Sequence, residues 1–512
     1  MGRLEEISTV AVTAQQMRQI EEEIFAQGMP VASLMEKAAT TSARKIQDIY
    51  PVSTHPKVGF LIGCGHNGGD GLVIARELFL AGYHVSIYAP LADKSKDLTA
   101  HHLQYAKSLG LQFVNRMDEL FPSHFLVDAL FGFGLTRTIE GDLKQAIDTL
   151  NQQSLPVVSI DLPSGIHTDT GEVLGVAVKA SHTLCLGLWK IGLFLPPAIE
   201  YTGQLHLIDI GIPSHLVEKL DATTPHIVTP SLVKASLPLP RNINTHKYKQ
   251  GHLLLVCGSW QYAGAAVLAG YGVKASGVGM VTFVTPASVK PLILQHFPWA
   301  LVIGCQETEE GTLKSLPSVQ FNRYDAIAFG MGVSTSIPAD TILPPLLNAQ
   351  TPLLIDADGL NLMAQNPHYW QTIRQRQAPT ILTPHDGEFK RLFPHLPLHH
   401  RLESLQQAAS DTNTIILLKG AKPLISAQGL QQWLVKDTSP ALARGGSGDV
   451  LSGLLGGLLA QKHPPSTHIP LLVASATWLH QQAALIASSL HTDMGVDPPS
   501  LCKYILRTIK KL

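Results

Sequence analysis

Short apolar runs, many of them closed by glycine or a charged residue and followed by an amphipathic stretch, recur along this chain. In the first half they fall at Lys57 to Gly63, His84 to Ala89, Phe125 to Asp128 and Pro156 to Ile160. The second half has Leu253 to Cys257, Val278 to Val284, Asp325 to Phe329, Pro352 to Ile355, Thr380 to Leu382 and Ile415 to Leu418. Runs this short suit buried strands, and the helical periods between them supply parallel crossovers. Met17, Ile20, Ile24 and Phe25 predict a helix over Thr13 to Ala26, with Thr13 as its cap and Gly28-Met29-Pro30 as its stop. A second helix runs through Leu34, Met35, Ala38 and Ile46. Small residues from Gly264 towards Lys274 predict a helix that permits close backbone packing, ended by Ala275-Ser276-Gly277. Residues 215–243, richer in Pro and Thr and without strand patterning, read as a junction. The pattern predicts an α/β protein of two domains, 1–214 and 244–512, with no internal repeat.

Composition narrows the class. At 512 residues with a formal net charge of −1, the chain has room for more than one core and no basic excess for nucleic acid. Its cysteines, Cys64, Cys185, Cys257, Cys305 and Cys502, are scattered without a CxxC pair, which favours a reducing compartment and argues against zinc. No apolar run reaches membrane-spanning length, and Met1 to Val12 carries acids without an apolar signal core. A cytoplasmic protein with no membrane or nucleic-acid partner is expected.

Chemistry concentrates where strands end. Ala443-Arg444-Gly445-Gly446-Ser447-Gly448-Asp449 immediately precedes an apolar helical run. Glycines let backbone N–H groups converge, and a helix N-terminus adds positive potential, so this is an anion cradle. Asp449 at its edge suits proton transfer from a hydroxyl during phosphoryl transfer; a Gly-rich turn capped by Asp is the plainer alternative. Gly332, Asp356 to Asn361, His385 with Glu388, and Lys419-Gly420-Ala421-Lys422-Pro423 follow other strands of the same half. In the first half the loop Gly63-Cys64-Gly65-His66-Asn67-Gly68-Gly69-Asp70-Gly71, the strand end at Asp128 and the strand end at Asp161 should meet in one crevice. Asn67, Asp128 and Ser164 offer hard oxygens of low total charge, as a monovalent cation requires.

The motifs HNGGDGLV, DALFGFGLTR, SIDLPSG and GLWKIGLFLPP resemble the NAD(P)H-hydrate epimerases over about Thr13 to Pro213. That resemblance implies a Rossmann-like three-layer domain binding hydrated NADH or NADPH at His66, Asn67, Gly68, Gly69 and Asp70. Binding would extend to Gly132, Phe133, Gly134, Leu135, Thr136, Arg137 and Thr138, with Asp161 in the site and K⁺ on Asn67, Asp128 and Ser164. His66 and Lys37 stand where the family usually has Asn. Inverting a hydroxyl-bearing carbon next to a ring nitrogen needs only acid–base help. Asp161 is expected to move the proton, and Lys190 either supplies an acid or a charge or is an exposed loop lysine.

From about Asn244 to Leu506 the motifs resemble the ribokinase-like superfamily, and within it the ADP-dependent NAD(P)H-hydrate dehydratases. The implied contacts are Ala265, Gly332, His385 and Asp449 for substrate, and Lys419, Gly420, Ala421, Lys422, Pro423 and Gly448 for nucleotide, with Mg²⁺ assisting. Ser439-Pro440-Ala441 replaces a usual Asn-Pro-Gly, and Asp386 a usual Pro. Together the resemblances imply a bifunctional repair enzyme for NADHX and NADPHX that consumes ADP and forms homo-oligomers. The rival readings are a small-molecule kinase with a regulatory first domain and a catalytically silent binding protein. The kinase would give a stable phosphorylated product, and the binding protein no turnover.

Overall fold

In the computed structural model, which describes residues 2–221, 223–464 and 467–512, Thr13 begins a helix as its residue type predicts. Gln16 N–H donates to the Thr13 hydroxyl at 3.1 Å and Thr13 N–H to Gln16 Oε1 at 2.9 Å, a capping box that satisfies two otherwise orphaned donors. The helix Ala14–Ala26 buries Met17, Ile20 and Ile24, and Val31–Ile49 follows it. Chain contacts separate two units, Met1–Pro225 and His226–Leu512, so the division falls inside the stretch read as a junction.

The first unit is built on a parallel sheet in the order Gln112–Val114, His84–Tyr88, Lys57–Ile62, Phe125–Ala129, Val157–Ile160, His182–Leu186, Gln204–Ile208. The chain starts at Lys57–Ile62, runs to one edge, then restarts beside its first strand and runs to the other. That reversal opens a crevice outside the carboxyl ends of Lys57–Ile62 and Phe125–Ala129. Glycine is required there: a Cβ on Gly63 would lie 1.9 Å from the Leu130 carbonyl, and one on Gly68 1.9 Å from the Gly63 carbonyl. The helix His66–Leu80 can therefore press its first turn against the strand ends. A separate parallel pair, Ala11–Val12 with Trp189–Lys190, sets Val12 opposite Lys190.

The second unit carries a sheet of ten strands. From Ile415–Leu418 through Thr380–Leu382, Leu353–Ile355, Ala326–Phe329, His252–Val256 and Met280–Pro286 to Leu301–Cys305 it is parallel. Leu424–Ser426 and Trp433–Leu434 extend it antiparallel, and His226–Ile227 closes that edge. His252–Val256 lies between Met280–Pro286 and Ala326–Phe329, which makes it this sheet's reversal point. Among the described residues no helix is long and apolar enough to cross a membrane.

The helices Ala263–Ser276 and Ser447–Leu459 approach at backbone distance, as the small residues of the first predict. A Cβ on Gly272 would lie 2.0 Å from the Val450 carbonyl, and one on Gly453 1.9 Å from the Ala269 carbonyl. Backbone cannot yield as a flexible side chain does, so Gly453→Ala should destabilise the second unit by about 1–3 kcal/mol. At roughly 2–4 °C per kcal/mol for a unit of this size, thermal unfolding reads this directly; an unchanged midpoint contradicts the packing described.

Candidate functional sites

A cavity of about 600 Å³ occupies the crevice of the first unit. Arg18, Glu21, Phe25, Leu34 and Met35 form a helical wall; His66, Asn67, Asp70, Lys96, Asp161, Lys190 and the loop Phe131 to Arg137 form the strand-end wall. Of the sequence-predicted substrate contacts, Gly68, Gly69 and Thr138 do not line it. Gly68 and Gly69 lie buried within the first turn of the helix His66–Leu80, and Thr138 packs against Gly175. Lys37 lies against Gly211, away from the cavity, whereas His66 lines it. Burial and the charge of Lys96 push the His66 pKa down, so its ring is neutral at physiological pH.

Lys190 is fully buried, which goes against the alternative of an exposed loop lysine. Its ammonium donates to Asp161 Oδ1 at 2.5 Å and to the Leu186 carbonyl at 2.6 Å, and sits 5.6 Å from the Phe133 ring centroid. Burial alone would lower its pKa, but the charge of Asp161 turns the net shift upward. Asp161 holds φ +69°, a conformation in which Asp and Asn are over-represented among non-glycine residues. Its other oxygen accepts from Phe133 N–H at 3.1 Å, so the loop that faces the cavity is tied to the acid–base pair.

Two further acids share this field. Asp70 is pushed well above the ordinary carboxylate range by burial and by the charges of Asp161 and Glu21. Burial pushes Glu21 up to about 7 against the pull of Lys190, with Asp161 adding to the rise. Glu21 escaped the sequence reading. Its only signal is an acid in phase with Met17, Ile20 and Ile24 on the buried face of its helix.

Asp128 is fully buried and accepts from Ser164 Oγ at 2.6 Å, Ser164 N–H at 2.9 Å and Ser159 Oγ at 2.8 Å. Phe131 N–H donates to Ser164 Oγ at 2.9 Å, and the next residue, Gly132, lies against the Asn67 carboxamide. Asn67 Nδ2 is buried without a partner. That nitrogen is a donor and holds no cation; the hard oxygens open to a monovalent cation here are Asn67 Oδ1 and those of Ser164 and Asp128.

In the second unit, Gly446 adopts φ +95° and opens the helix Ser447–Leu459, placing Asp449 in its first turn. Lys419 Nζ donates to Asp356 Oδ1 at 2.7 Å and lies 3.9 Å from Glu388 Oε2. A Cβ on Gly448 would lie 3.8 Å from the same ammonium, so Lys419 stands at the mouth of the glycine nest. Ser452 Oγ donates to Asp356 Oδ2 at 2.5 Å, locking that carboxylate to the helix that bears Asp449. Burial pushes Asp449 up to about 7, with the Asp356 charge adding to the rise and Lys419 opposing it. A carboxyl poised there suits a general base at neutral pH.

The other predicted contacts divide. Gly332, at φ +67°, lies against Ala265: a Cβ there would meet Ala265 Cβ at 2.7 Å. His385 Nδ1 accepts from Gly387 and Glu388 N–H groups, and Glu388 Oε2 accepts from His385 N–H at 2.8 Å. This capping box turns His385 Nε2 towards Glu388 Oε1 at 3.5 Å. Asp386 is held by both arms of Arg401 at 2.8 Å. Gly420 and Ala421 are exposed, while Lys422 and Pro423 are buried. The Lys422 ammonium donates to the Lys436 carbonyl. Burial pulls its pKa down to about 8 against the charge of Asp437.

Residues 31–192 match the family model described as YjeF-related protein N-terminus, and residues 253–507 that described as NAD(P)H-hydrate dehydratase. The bifunctional NAD(P)H-hydrate repair enzyme Nnr of Synechocystis sp. is 47% identical over 97% of this chain and 94% of that one. Its counterpart in Thermosynechococcus vestitus is 43% identical over 98% of this chain and 97% of that one. A crystal structure of the ADP/ATP-dependent NAD(P)H-hydrate dehydratase of Bacillus subtilis, co-crystallized with ATP and Mg²⁺, is 29% identical. It covers 55% of this chain and 97% of that one with a TM-score of 0.47. Two family models in the order of the two units, and relatives aligned along almost the whole length, place this chain in the family of bifunctional NAD(P)H-hydrate repair enzymes.

Proposed function

We propose that the first unit interconverts the R and S epimers of hydrated NADH and NADPH, and that the second dehydrates the S epimer at the expense of ADP. The observation that carries this reading is a pair of acid–base centres in one chain. One is Lys190–Asp161 on a cavity; the other is Asp449 beside Lys419 at a glycine-opened helix.

In the second unit Asp449 takes the proton of the C6 hydroxyl as its oxygen bonds to the terminal phosphorus of ADP, and AMP departs. The ring-nitrogen lone pair then expels phosphate from C6, and loss of a C5 proton regenerates NAD(P)H. Lys419 and the backbone N–H groups after Gly446 offset charge on the transferring group. Mg²⁺, when bound, would neutralise nucleotide phosphate charge. Among the described residues no cluster of three or more His, Cys, Asp or Glu offers it a protein cage, so phosphate oxygens would be its main ligands. Phosphorus NMR of S-NADHX with ADP tests this assignment: AMP and inorganic phosphate are expected. A stable phosphorylated product would instead indicate a kinase.

In the first unit K⁺ would be held by Asn67, Asp128 and Ser164, fixing the Phe131–Gly132 turn whose following amide binds Asp161. Exchanging K⁺ for a bulky organic cation should slow epimerisation, followed by chiral chromatography of R-NADHX; an unchanged rate contradicts the cation assignment. A cytoplasmic location is supported by five cysteines that remain free thiols.

A further inference from the structure

Glu21 has no place in the chemistry so far, yet it lines the same cavity as Lys190 and Asp161 from a different element, the helix Ala14–Ala26. Epimerisation moves the C6 hydroxyl from one face of the ring to the other. An acid–base pair fixed in one place can serve one face. A second group on another element serves the other without the substrate turning over. We propose that Glu21 is a second catalytic acid–base residue of the epimerase, exchanging protons with the C6 oxygen on the face that looks towards the helices Ala14–Ala26 and Val31–Ile49. The inference rests on the epimerase reading above.

The step balances without a further reagent. The C6–O bond breaks with its electron pair going to oxygen, a carboxylic acid donates the proton, and water leaves. The ring-nitrogen lone pair forms the N1–C6 iminium. Water then adds to C6 on the other face and gives its proton to the facing carboxylate, so Glu21 and the Asp161–Lys190 pair exchange roles between the two directions.

The groups facing Glu21 are Lys190 and Asp161 from the strand-end wall, Arg18 from its own helix, and Asp70 from the helix His66–Leu80. Glu22, His66, Lys96 and Arg137 complete the charged lining. In this field Glu21 rises to about 7. Both its forms are then populated at neutral pH, as a group that gives and takes a proton in alternate directions requires.

The test uses the full chain without ADP, following conversion of purified R-NADHX to the mixed epimers by chiral chromatography from pH 5.5 to 8.5. Glu21→Gln is expected to lose about 100-fold or more in kcat, with KM little changed and the wild-type inflection near pH 7 abolished. Glu21→Asp is expected to recover part of kcat with a displaced inflection, which a merely structural side chain would not produce. Glu21→Gln epimerising within threefold of wild type, or a wild-type inflection that survives it, overturns the inference and leaves the epimerase reading standing. A wild-type chain without epimerase activity overturns both. Loss of activity in both variants together with a lowered unfolding midpoint also counts against Glu21 as a proton carrier.

Discussion

Replacing Asp449 with Asn should lower dehydration of S-NADHX by at least ~100-fold in kcat, the range lost with a general base, and leave epimerisation of R-NADHX untouched. Asn keeps the volume and the helix start but cannot take the hydroxyl proton. In the wild type the free-enzyme carboxyl is held near 7 by burial, reinforced by Asp356 and opposed by Lys419. The base form is the ionised one, so kcat/KM should rise about tenfold per pH unit below that value and level off above it. Removing the Lys419 charge takes away the opposing interaction. Lys419→Met should therefore move the inflection to higher pH as well as slow the reaction. A profile flat from pH 5.5 to 8.5, or an Asp449→Asn chain with wild-type turnover, contradicts the role assigned to Asp449.

Asp161→Asn should have an equally large and opposite selectivity. Epimerisation is expected to fall by at least ~100-fold while dehydration of the S epimer proceeds. The substitution is informative because Asn tolerates the positive φ found at this position. It also leaves Lys190 a hydrogen-bond acceptor, so lost activity is not simply lost folding. Lys190→Met is the contrasting change. It strands a buried carboxylate, and breaking a buried pair by removing one partner costs about 3–5 kcal/mol. Asp161→Asn also removes a counter-charge, that of the buried Lys190 ammonium, but leaves it a neutral acceptor, so thermal unfolding should place both midpoints below wild type, with Lys190→Met the lower. Equal midpoints would mean that the pair is not buried as described.

Both sites lie at the carboxyl ends of parallel strands, and much of that was legible from periodicity. Residues 58–62 and 125–127, with Leu353–Ile355 and Ile415–Leu418, are uninterrupted apolar runs because both faces of a central strand are covered. Gln112–Val114, Gln204–Ile208 and Leu301–Cys305 lie outside the predicted runs because each is an edge strand whose partly exposed face admits polar or scattered residues. The interior strand His182–Leu186 lies outside them because His182 and Thr183 break its apolar pattern. Leu424–Ser426 and Trp433–Leu434 are too short to show a period, so the antiparallel extension was not foreseen either.

The sites divide in the same way. Loop chemistry announces itself: glycines at Gly63, Gly68 and Gly446 mark places where backbone must approach or turn, and Asp128, Asp161 and Asp449 stand beside them. Long-range pairing does not. Lys190 stays open to two readings, a site acid and an exposed loop lysine, until Asp161, 29 positions away, supplies its counter-charge. Asp356 and Ser452, 96 positions apart, meet only when the sheet and the helix Ser447–Leu459 have formed. Glu21 was illegible for a related reason, since its helix would look amphipathic with or without it.

The central claim is that one chain repairs both epimers. The most direct measurement is the near-ultraviolet absorbance of reduced nicotinamide, recorded as the chain acts on a mixed R/S preparation of NADHX with ADP, Mg²⁺ and K⁺. Recovery of NADH equal to the whole of the hydrate, faster than spontaneous epimerisation allows, is the predicted result. Recovery that halts at the share of the S epimer, or that fails with either ADP or ATP, would contradict it.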